Sequence, residues 1–222
     1  MSTEKGAVAP VFTNDELMKI AIIDNGEKLV NLSDASDKFI IEIEETSRKL
    51  QNLPENTCYS RETVARMLVS AQGTLPNGMR FKIIDSYRPM SAQRQIWQQY
   101  FDDFKRQHSD WDDEEVAKET DRWVANPRVV PPHTTGGALD LTVADEHDNE
   151  LDMGTPVNSA DEKSYMLSEK VTGKAKENRN MLIKVMTDAG FVGNPREWWH
   201  WSYGDRRWAG AMKKSNALYD GR

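Results

Sequence analysis

The sequence predicts a fold of mixed helices and strands, in which short strands and longer helices share one core. Strand-like runs rich in β-branched and aromatic residues lie at 81–85 and 138–143. Apolar residues recur at helical spacing in 60–73, 91–104 and 174–189. The chain has 222 residues, of which 38% are hydrophobic, and this is enough for a sizeable core.

The N-terminal third is predicted to form small strands and one helix. Residues 1–14 are expected to be a lead-in. Residues 17–32 predict a hairpin that turns at Asn25-Gly26, and residues 39–44 predict a further strand. Ser60 is expected to cap the next helix, which ends at Gly73.

Three helices are predicted around the second strand-like run. The helix from Ser91 carries an apolar stripe that is expected to face the core rather than a ligand, formed by Ile96, Trp97, Tyr100, Phe101 and Phe104. An acidic helix follows at 112–124. The helix at 174–189 ends before Gly190, and residues 191–203 complete the core as an aromatic-rich strand.

Charge and cysteine content exclude several classes of function. The net charge of −7 is spread along the chain, which disfavours nucleic acid or an anionic membrane as a partner. Cys58 is the only cysteine, so an intrachain disulfide and a thiolate-built zinc site are both excluded. No run resembles a signal sequence or a membrane span, so a cytoplasmic location is expected. No internal repeat or linker divides the chain, so a single domain over 1–222 is expected.

The segment at 131–143 carries the first candidate site. Two prolines hold the approach to His133 extended, and Gly136-Gly137 permits a tight turn or a close backbone approach. Asp140 lies between two leucines of a strand-like run, so it points to the opposite face and needs a partner if it is buried. A metal ion shared with His133 would be such a partner. The alternative is a polar loop in which Asp140 is hydrogen-bonded to the backbone.

The segment at 195–201 places Glu197 and His200 three residues apart among tryptophans. Residues three apart in a regular strand face opposite sides. We therefore expect a bend, with Glu197 at a loop end and His200 within the strand. A core imidazole and a surface acid are the alternative.

Together, His133, Asp140 and His200 form a ligand set of two histidines and one carboxylate. Three protein ligands that leave a fourth position open are typical of catalytic zinc sites. Glu197 would then be free to take a proton from the bound water. The other histidines, His108 and His147, are weaker candidates.

Arg88 follows a predicted strand in the segment Asp85-Ser86-Tyr87-Arg88-Pro89. Loops at strand ends often carry catalytic groups, and a guanidinium here could stabilise an oxyanion that develops at a carbonyl. The alternative is a structural ion pair with Asp85, and the residues leave both possibilities open.

Three motifs, in this order and spacing, resemble those of the D-alanyl-D-alanine dipeptidases, the zinc D,D-peptidases that include the vancomycin-resistance dipeptidase. The motifs are Ser86-Tyr87-Arg88-Pro89, the run from His133 to Asp140, and Glu197-Trp198-Trp199-His200. The resemblance covers residues 58–208, and residues 1–57 contribute little to it.

The resemblance implies one Zn²⁺ per chain, bound by His133, Asp140 and His200. It also implies that Glu197 is the general base and that Arg88 stabilises the transition state. The fold it implies is α+β, with a central, mainly antiparallel sheet flanked by helices and the zinc site at the sheet. The predicted elements agree with that fold.

The implied activity is hydrolysis of D-alanyl-D-alanine, or a similar short D-amino-acid dipeptide, by attack of a zinc-bound water. Two departures from relatives leave the substrate open: Pro132 stands where some have serine, and Asn158 stands where the resistance enzyme has an aspartate that holds the substrate ammonium. The alternatives are a D,D-carboxypeptidase or endopeptidase of peptidoglycan peptides, and a non-catalytic metal-containing binding protein. Glu197 argues against the binding protein, which needs no base beside its metal.

Overall fold

A five-stranded sheet forms the centre of the molecule in the computed structural model, which describes residues 8–43 and 45–222. Its strand order is β3-β5-β6-β8-β7. The strands are β3 (Ile40–Ile41), β5 (Arg80–Asp85), β6 (Ala138–Ala144), β7 (Val192–Asn194) and β8 (Glu197–Ser202). Only the β3–β5 pairing is parallel among these five strands, so the predicted mainly antiparallel α+β fold is confirmed.

Four short strands form two smaller sheets. They are β1 (Ala21–Ile22), β2 (Leu29–Asn31), β4 (Tyr59–Arg61) and β9 (Asn216–Ala217). The parallel pair β1–β9 joins the N-terminal part of the chain to its C-terminal part, and β2 pairs antiparallel with β4.

Eight α-helices surround these sheets in the described part of the chain. They are α1 (Asn14–Met18), α2 (Leu32–Ala35), α3 (Glu45–Leu50), α4 (Glu62–Gln72), α5 (Met90–Gln107), α6 (Asp113–Trp123), α7 (Gly173–Asp188) and α8 (Arg206–Ala211). Single 3-10 turns occur at Pro127–Val129, Pro132–Thr135 and Glu162–Ser164.

The core lies where α4 and α7 pack with the sheet. All seven residues of β6 are buried, as expected of a central strand covered on both faces. The apolar faces of the helices supply Leu68 and Leu182, which pack with Leu141 in the same buried cluster. The predicted helices at 60–73, 112–124 and 174–189 are confirmed within two residues at each end.

The predicted hairpin at 17–32 is wrong. The turn itself exists, because Gly26 has φ +74° and its N–H donates to the Asp24 carboxylate at 2.7 Å. The two arms, however, pair with β9 and β4 instead of with each other. Such short arms gain little from mutual pairing, and their partners lie too far along the chain for a local pattern to reveal them.

Three smaller expectations also need correction. Ser60 lies in β4, and the helix cap is Arg61, whose side chain makes no capping bond. The strand expected at 39–44 is only Ile40–Ile41, and Glu44 lies outside the described residues. Residues 1–7 of the lead-in expected at 1–14 also lie outside them, and α1 begins at Asn14 behind a capping box formed by Thr13 and Glu16.

The apolar stripe of α5 does not face the core. Helix α5 packs on α6, where the Trp97 indole N–H donates to Asp121 at 2.8 Å and the Trp97 and Phe101 rings stack at 5.2 Å. Tyr100 stays 43% exposed, and the other stripe residues are half-buried. The prediction of a core stripe is therefore wrong, because two helices packed on each other bury only the seam between them.

Among the residues that the structure describes, none forms a helix with the length and hydrophobicity needed to cross a bilayer. The cytoplasmic location stays a prediction.

Candidate metal centre

His133 is held by the 3-10 turn Pro132–Thr135, which leads into β6. Gly136 ends the turn with φ +73°, a conformation that favours glycine. At Gly137 an added Cβ would lie 2.3 Å from the Tyr203 carbonyl oxygen, so only glycine fits beside that backbone. The expected turn and close approach are both present, and they bring the chain from His133 into register at Asp140.

Asp140 lies in β6 between two neighbouring strands. Its direct cross-strand partners are Asp85 on β5 and His200 on β8. Directly opposed residues on adjacent strands bring their side chains close together on one face. The sheet register therefore places the carboxylate of Asp140 beside the imidazole of His200.

The three expected ligands converge. Asp140 Oδ1 lies 2.9 Å from His200 Nδ1 and 3.4 Å from His133 Nε2. One ligand atom from each residue lies within 4.8 Å of the other two. Three donors this close, on largely buried side chains, can bind one metal ion.

The remaining ring nitrogens have partners that orient both imidazoles. His133 Nδ1 lies 2.8 Å from the Ser86 carbonyl oxygen and donates to it, so Nε2 is the nitrogen that faces Asp140 and is placed to bind a metal. His200 Nε2 lies 3.4 Å from the Ser202 hydroxyl, which leaves Nδ1 facing Asp140. Metal-binding histidines commonly have such partners, which fix the ring and its tautomer.

The electrostatics of the centre favour a cation. Burial alone would lower the pKa of His133, but the carboxylates of Asp140 and Asp85 outweigh it and raise that pKa to about 9. Burial alone would raise the pKa of Asp140, but the imidazoles of His133 and His200 hold it far below its usual range. Both shifts arise because a buried carboxylate between two imidazoles attracts positive charge. A divalent cation fits this donor set.

Glu197 lies at the edge of the centre as the first residue of β8. The turn at Pro195-Arg196 and a register shift in the β7–β8 pairing provide the expected bend. Glu197 Oε2 lies 4.0 Å from His200 Nδ1 and accepts a hydrogen bond from the Asn194 amide at 2.6 Å. Its side chain is 43% exposed, so water can reach it.

Arg88 is held by two neighbours. Its guanidinium forms an ion pair with Asp85 and donates from Nη1 to Gln93 Oε1 at 2.9 Å. Its backbone N–H donates to the His133 carbonyl oxygen at 3.0 Å. The ion pair considered as an alternative role is therefore present. It does not occupy the whole guanidinium, because the buried Nε has no hydrogen-bond partner among the residues that the structure describes.

A cavity of 270 Å³ adjoins the centre at Glu197 and at Pro132, the residue before His133. Its wall also includes Trp123, Asp205 and Arg207, but none of the three candidate metal ligands. A larger groove of 580 Å³ between α2 and α4 contains none of the candidate residues. Of these two cavities, only the smaller one adjoins the centre.

Sequence reasoning missed the residues that position the site. Gln93 and Asn194 hold Arg88 and Glu197, and no local pattern distinguishes their amides from surface ones. The weak candidates have other surroundings: His108 stacks on Trp111 with ring centroids 3.8 Å apart, and His147 lies in an exposed turn. Asn158 has φ 62°, a conformation that asparagine tolerates.

Two histidines and one carboxylate, largely buried and with a water-accessible acid beside them, are an arrangement found in metal-dependent hydrolases. The family model described as D-ala-D-ala dipeptidase matches residues 35–216. The chain belongs to this family, and the match extends well beyond the three motifs.

Named relatives agree with this assignment. The chain is 36% identical to a D-alanyl-D-alanine dipeptidase of Escherichia coli (strain K12) over 124 residues, which cover 56% of this chain and 55% of that protein. It is 36% identical to a D-alanyl-D-alanine dipeptidase of a Synechocystis species over 95 residues, or 38% of each chain. The matches thus span about half or less of these relatives' lengths.

Among solved structures, the chain is similar to a vancomycin-resistance D,D-pentapeptidase in complex with Zn(II). The TM-score is 0.42 and the sequence identity is 16%, and the similarity covers 72% of this chain and 80% of that chain.

Proposed function

We propose that this protein is a zinc-dependent dipeptidase that hydrolyses D-alanyl-D-alanine or a similar short D-amino-acid dipeptide. The observation that carries the proposal is the convergence of His133, Asp140 and His200 within 4.8 Å, with Glu197 Oε2 only 4.0 Å from His200 Nδ1. A binding protein would need the three ligands but not the acid beside them.

The donor set suits zinc. His133 Nε2, Asp140 Oδ1 and His200 Nδ1 would hold the ion, and nitrogen with carboxylate oxygen is a common ligand combination for it. When bound there, Zn²⁺ would supply a Lewis acid that polarises the scissile carbonyl and lowers the pKa of a coordinated water to about 7.

Glu197 is proposed as the general base and acid. Its carboxylate is accessible, and the hydrogen bond from Asn194 holds Oε2 near the metal-facing nitrogen of His200. From that position Glu197 can accept the proton of the attacking water and return it to the leaving amine.

Arg88 is proposed to stabilise the negative charge that develops on the carbonyl oxygen. Asp85 and Gln93 restrict its guanidinium to one orientation, so little reorganisation is needed during the reaction. The positive charge of Arg88 opposes the rise in the pKa of His133 that the neighbouring carboxylates cause.

The substrate is proposed to be small. The 270 Å³ cavity beside Glu197 is below the usual range for drug-sized ligands, and the named relatives are dipeptidases.

The whole chain is proposed to act as one domain. The support for this is that β1, in the N-terminal part of the chain, pairs with β9, near the other end.

The test is a hydrolysis panel on the purified protein. The panel contains D,D, L,D and L,L dialanine and a longer peptide that ends in D-Ala-D-Ala, each assayed with and without a chelator. We expect release of D-alanine from D-Ala-D-Ala, loss of activity with the chelator and recovery with added Zn²⁺. Hydrolysis of the longer peptide alone would support the carboxypeptidase alternative. No hydrolysis by zinc-loaded protein would reject the proposal.

A further inference from the structure

Arg61 is a buried cation close to the candidate metal centre that the proposed mechanism does not use. Its side chain is 0% exposed. A guanidinium without water must find its partners within the protein, because an unsatisfied buried charge is costly. The partners that Arg61 has found therefore indicate what it holds together.

The guanidinium of Arg61 connects three separate parts of the chain through four hydrogen bonds. Nε donates to the Thr135 carbonyl oxygen at 2.7 Å, and Nη1 donates to the Glu27 carbonyl oxygen at 2.6 Å. Nη2 donates to Asp24 Oδ2 at 3.0 Å and to the Asp220 carbonyl oxygen at 3.1 Å. Only a planar, multi-donor group can bind all of these acceptors at once.

One of those parts is the loop between two proposed metal ligands. Thr135 ends the 3-10 turn that carries His133, and Gly136 follows it on the way to Asp140. The backbone N–H of Arg61 donates to the Gly136 carbonyl oxygen at 2.9 Å. Main chain and side chain of Arg61 thus hold two consecutive carbonyl groups between His133 and Asp140.

The strand that contains Arg61 also supports the Arg88 segment. The Tyr87 N–H donates to the Tyr59 carbonyl oxygen at 2.9 Å, and the Arg88 N–H donates to the His133 carbonyl oxygen at 3.0 Å. Strand β4 therefore contacts both loops that contribute to the proposed active site. The side chain of Arg61 extends from β4 into the interior and adds a bond to the Thr135 carbonyl oxygen.

We propose that Arg61 is a positioning residue for the metal centre, which fixes the loop between His133 and Asp140 at the separation that metal binding requires. It acts through the carbonyl groups of Thr135 and Gly136 and belongs to neither the ligands nor the catalytic groups. The inference rests on one part of the proposed function, namely that the centre binds zinc. Residues 24–27 and 220 also help to hold that centre, because they bind the Arg61 guanidinium, although they lie outside the three motifs.

The test compares zinc affinity with stability in Arg61→Lys. Lysine keeps the charge but cannot make the same set of bonds. We expect zinc binding, measured by competition with a fluorescent chelator, to weaken about 10- to 100-fold, as for the loss of other residues that orient metal ligands. Circular dichroism and denaturant unfolding would establish that the variant is folded under the assay conditions.

Arg179→Lys is the matched control. Arg179 is also buried, donates to the Met153 and Tyr165 carbonyl oxygens at 2.6 and 2.9 Å, and lies over the Trp198 ring. Its partners lie outside the loop between His133 and Asp140. We expect Arg179→Lys to lower the free energy of unfolding while leaving zinc affinity unchanged.

The possible outcomes separate the two proposals. Wild-type zinc affinity in a folded Arg61→Lys protein, or an equal loss of affinity in Arg179→Lys, would overturn the positioning role and leave the proposed function intact. A wild-type protein that binds no zinc would reject the proposed function, and the positioning role with it.

If Arg61→Lys does not fold, Asp24→Asn replaces that variant, since the Asn substitution weakens only one partner of the guanidinium. A several-fold loss of zinc affinity is then expected, and no loss would overturn the inference.

Discussion

Asp140 and His200 are direct cross-strand partners in the central sheet, and Asp140 Oδ1 lies 2.9 Å from His200 Nδ1. Their separation is set by backbone pairing between β6 and β8 rather than by a flexible loop. Sites on sheet strands are held more precisely than sites on loops. Two of the three proposed ligands therefore have a fixed geometry before any metal binds, and His133 completes the set.

Asp140→Asn should abolish tight zinc binding while preserving the fold. The amide has the same shape but is a weaker ligand and lacks the charge that the two imidazoles favour. We expect zinc affinity to fall by more than about 100-fold, beyond the usual effect of losing a residue that only orients a ligand. Metal analysis after dialysis measures this, with Asp145→Asn at the exposed turn after β6 as the control. Stoichiometric zinc in Asp140→Asn would contradict the ligand assignment.

Glu197→Gln should separate metal binding from catalysis. Glutamine can still accept the hydrogen bond from Asn194, but it cannot take up a proton. Turnover of D-Ala-D-Ala should fall by about 10²- to 10⁴-fold, the usual contribution of a general base, while the zinc content stays at the wild-type value. Glu150→Gln, at the far end of β6 where it pairs with Lys82, is the control and should retain activity. Near-normal turnover in Glu197→Gln would remove this residue from the mechanism.

Arg88→Lys should impair turnover more than metal binding. A lysine ammonium keeps the charge but cannot bind Asp85 and Gln93 in the same forked arrangement. We expect a loss of kcat of about 10²- to 10³-fold, as for removal of one oxyanion donor, with unchanged zinc content. Arg66→Lys on the exposed face of α4 provides the comparison and should behave as wild type. If Arg88→Lys retains full kcat, the ion pair with Asp85 is the only role of Arg88.

Glu27 should contribute to stability in a pH-dependent way. Burial would raise its pKa, but hydrogen bonds from Thr63 and from the Tyr219 hydroxyl outweigh burial and lower the pKa below its ordinary value of 4.5. A lowered folded-state pKa means that ionised Glu27 stabilises the fold above the unfolded-state pKa, and this contribution is lost as pH falls through the folded-state pKa. Glu27→Gln should therefore be less stable than wild type at neutral pH and approach it in acid.

Denaturant unfolding at a series of pH values between about 7 and 3 measures this difference. Exposed Glu169→Gln is the control, and its curve should run parallel to that of the wild type. A constant difference between Glu27→Gln and wild type across this range would show that the carboxylate charge of Glu27 contributes nothing.

Much of the local structure and all five proposed site residues could be predicted from the sequence. The strand-like runs at 81–85 and 138–143 and the helix at 174–189 depend on patterns only a few residues long, and such patterns are complete within the segment itself. The motifs likewise contain His133, Asp140, Glu197, His200 and Arg88 in full. The errors fall where a segment's partner is distant, as for the supposed hairpin and for the α5 stripe that packs on α6.

The identities of the chemical groups and the family were thus determined by the sequence alone. The tertiary structure decided how these groups meet. It set the register that opposes Asp140 to His200, the bend that brings Glu197 Oε2 to 4.0 Å from His200 Nδ1, and the contact of Gln93 with Arg88. It also decided that Arg61, an ordinary charged residue in the sequence, is buried against the loop between His133 and Asp140. The physical reason is that side-chain types and short periodicities are local properties, whereas strand pairing and burial depend on partners that only the folded chain brings together.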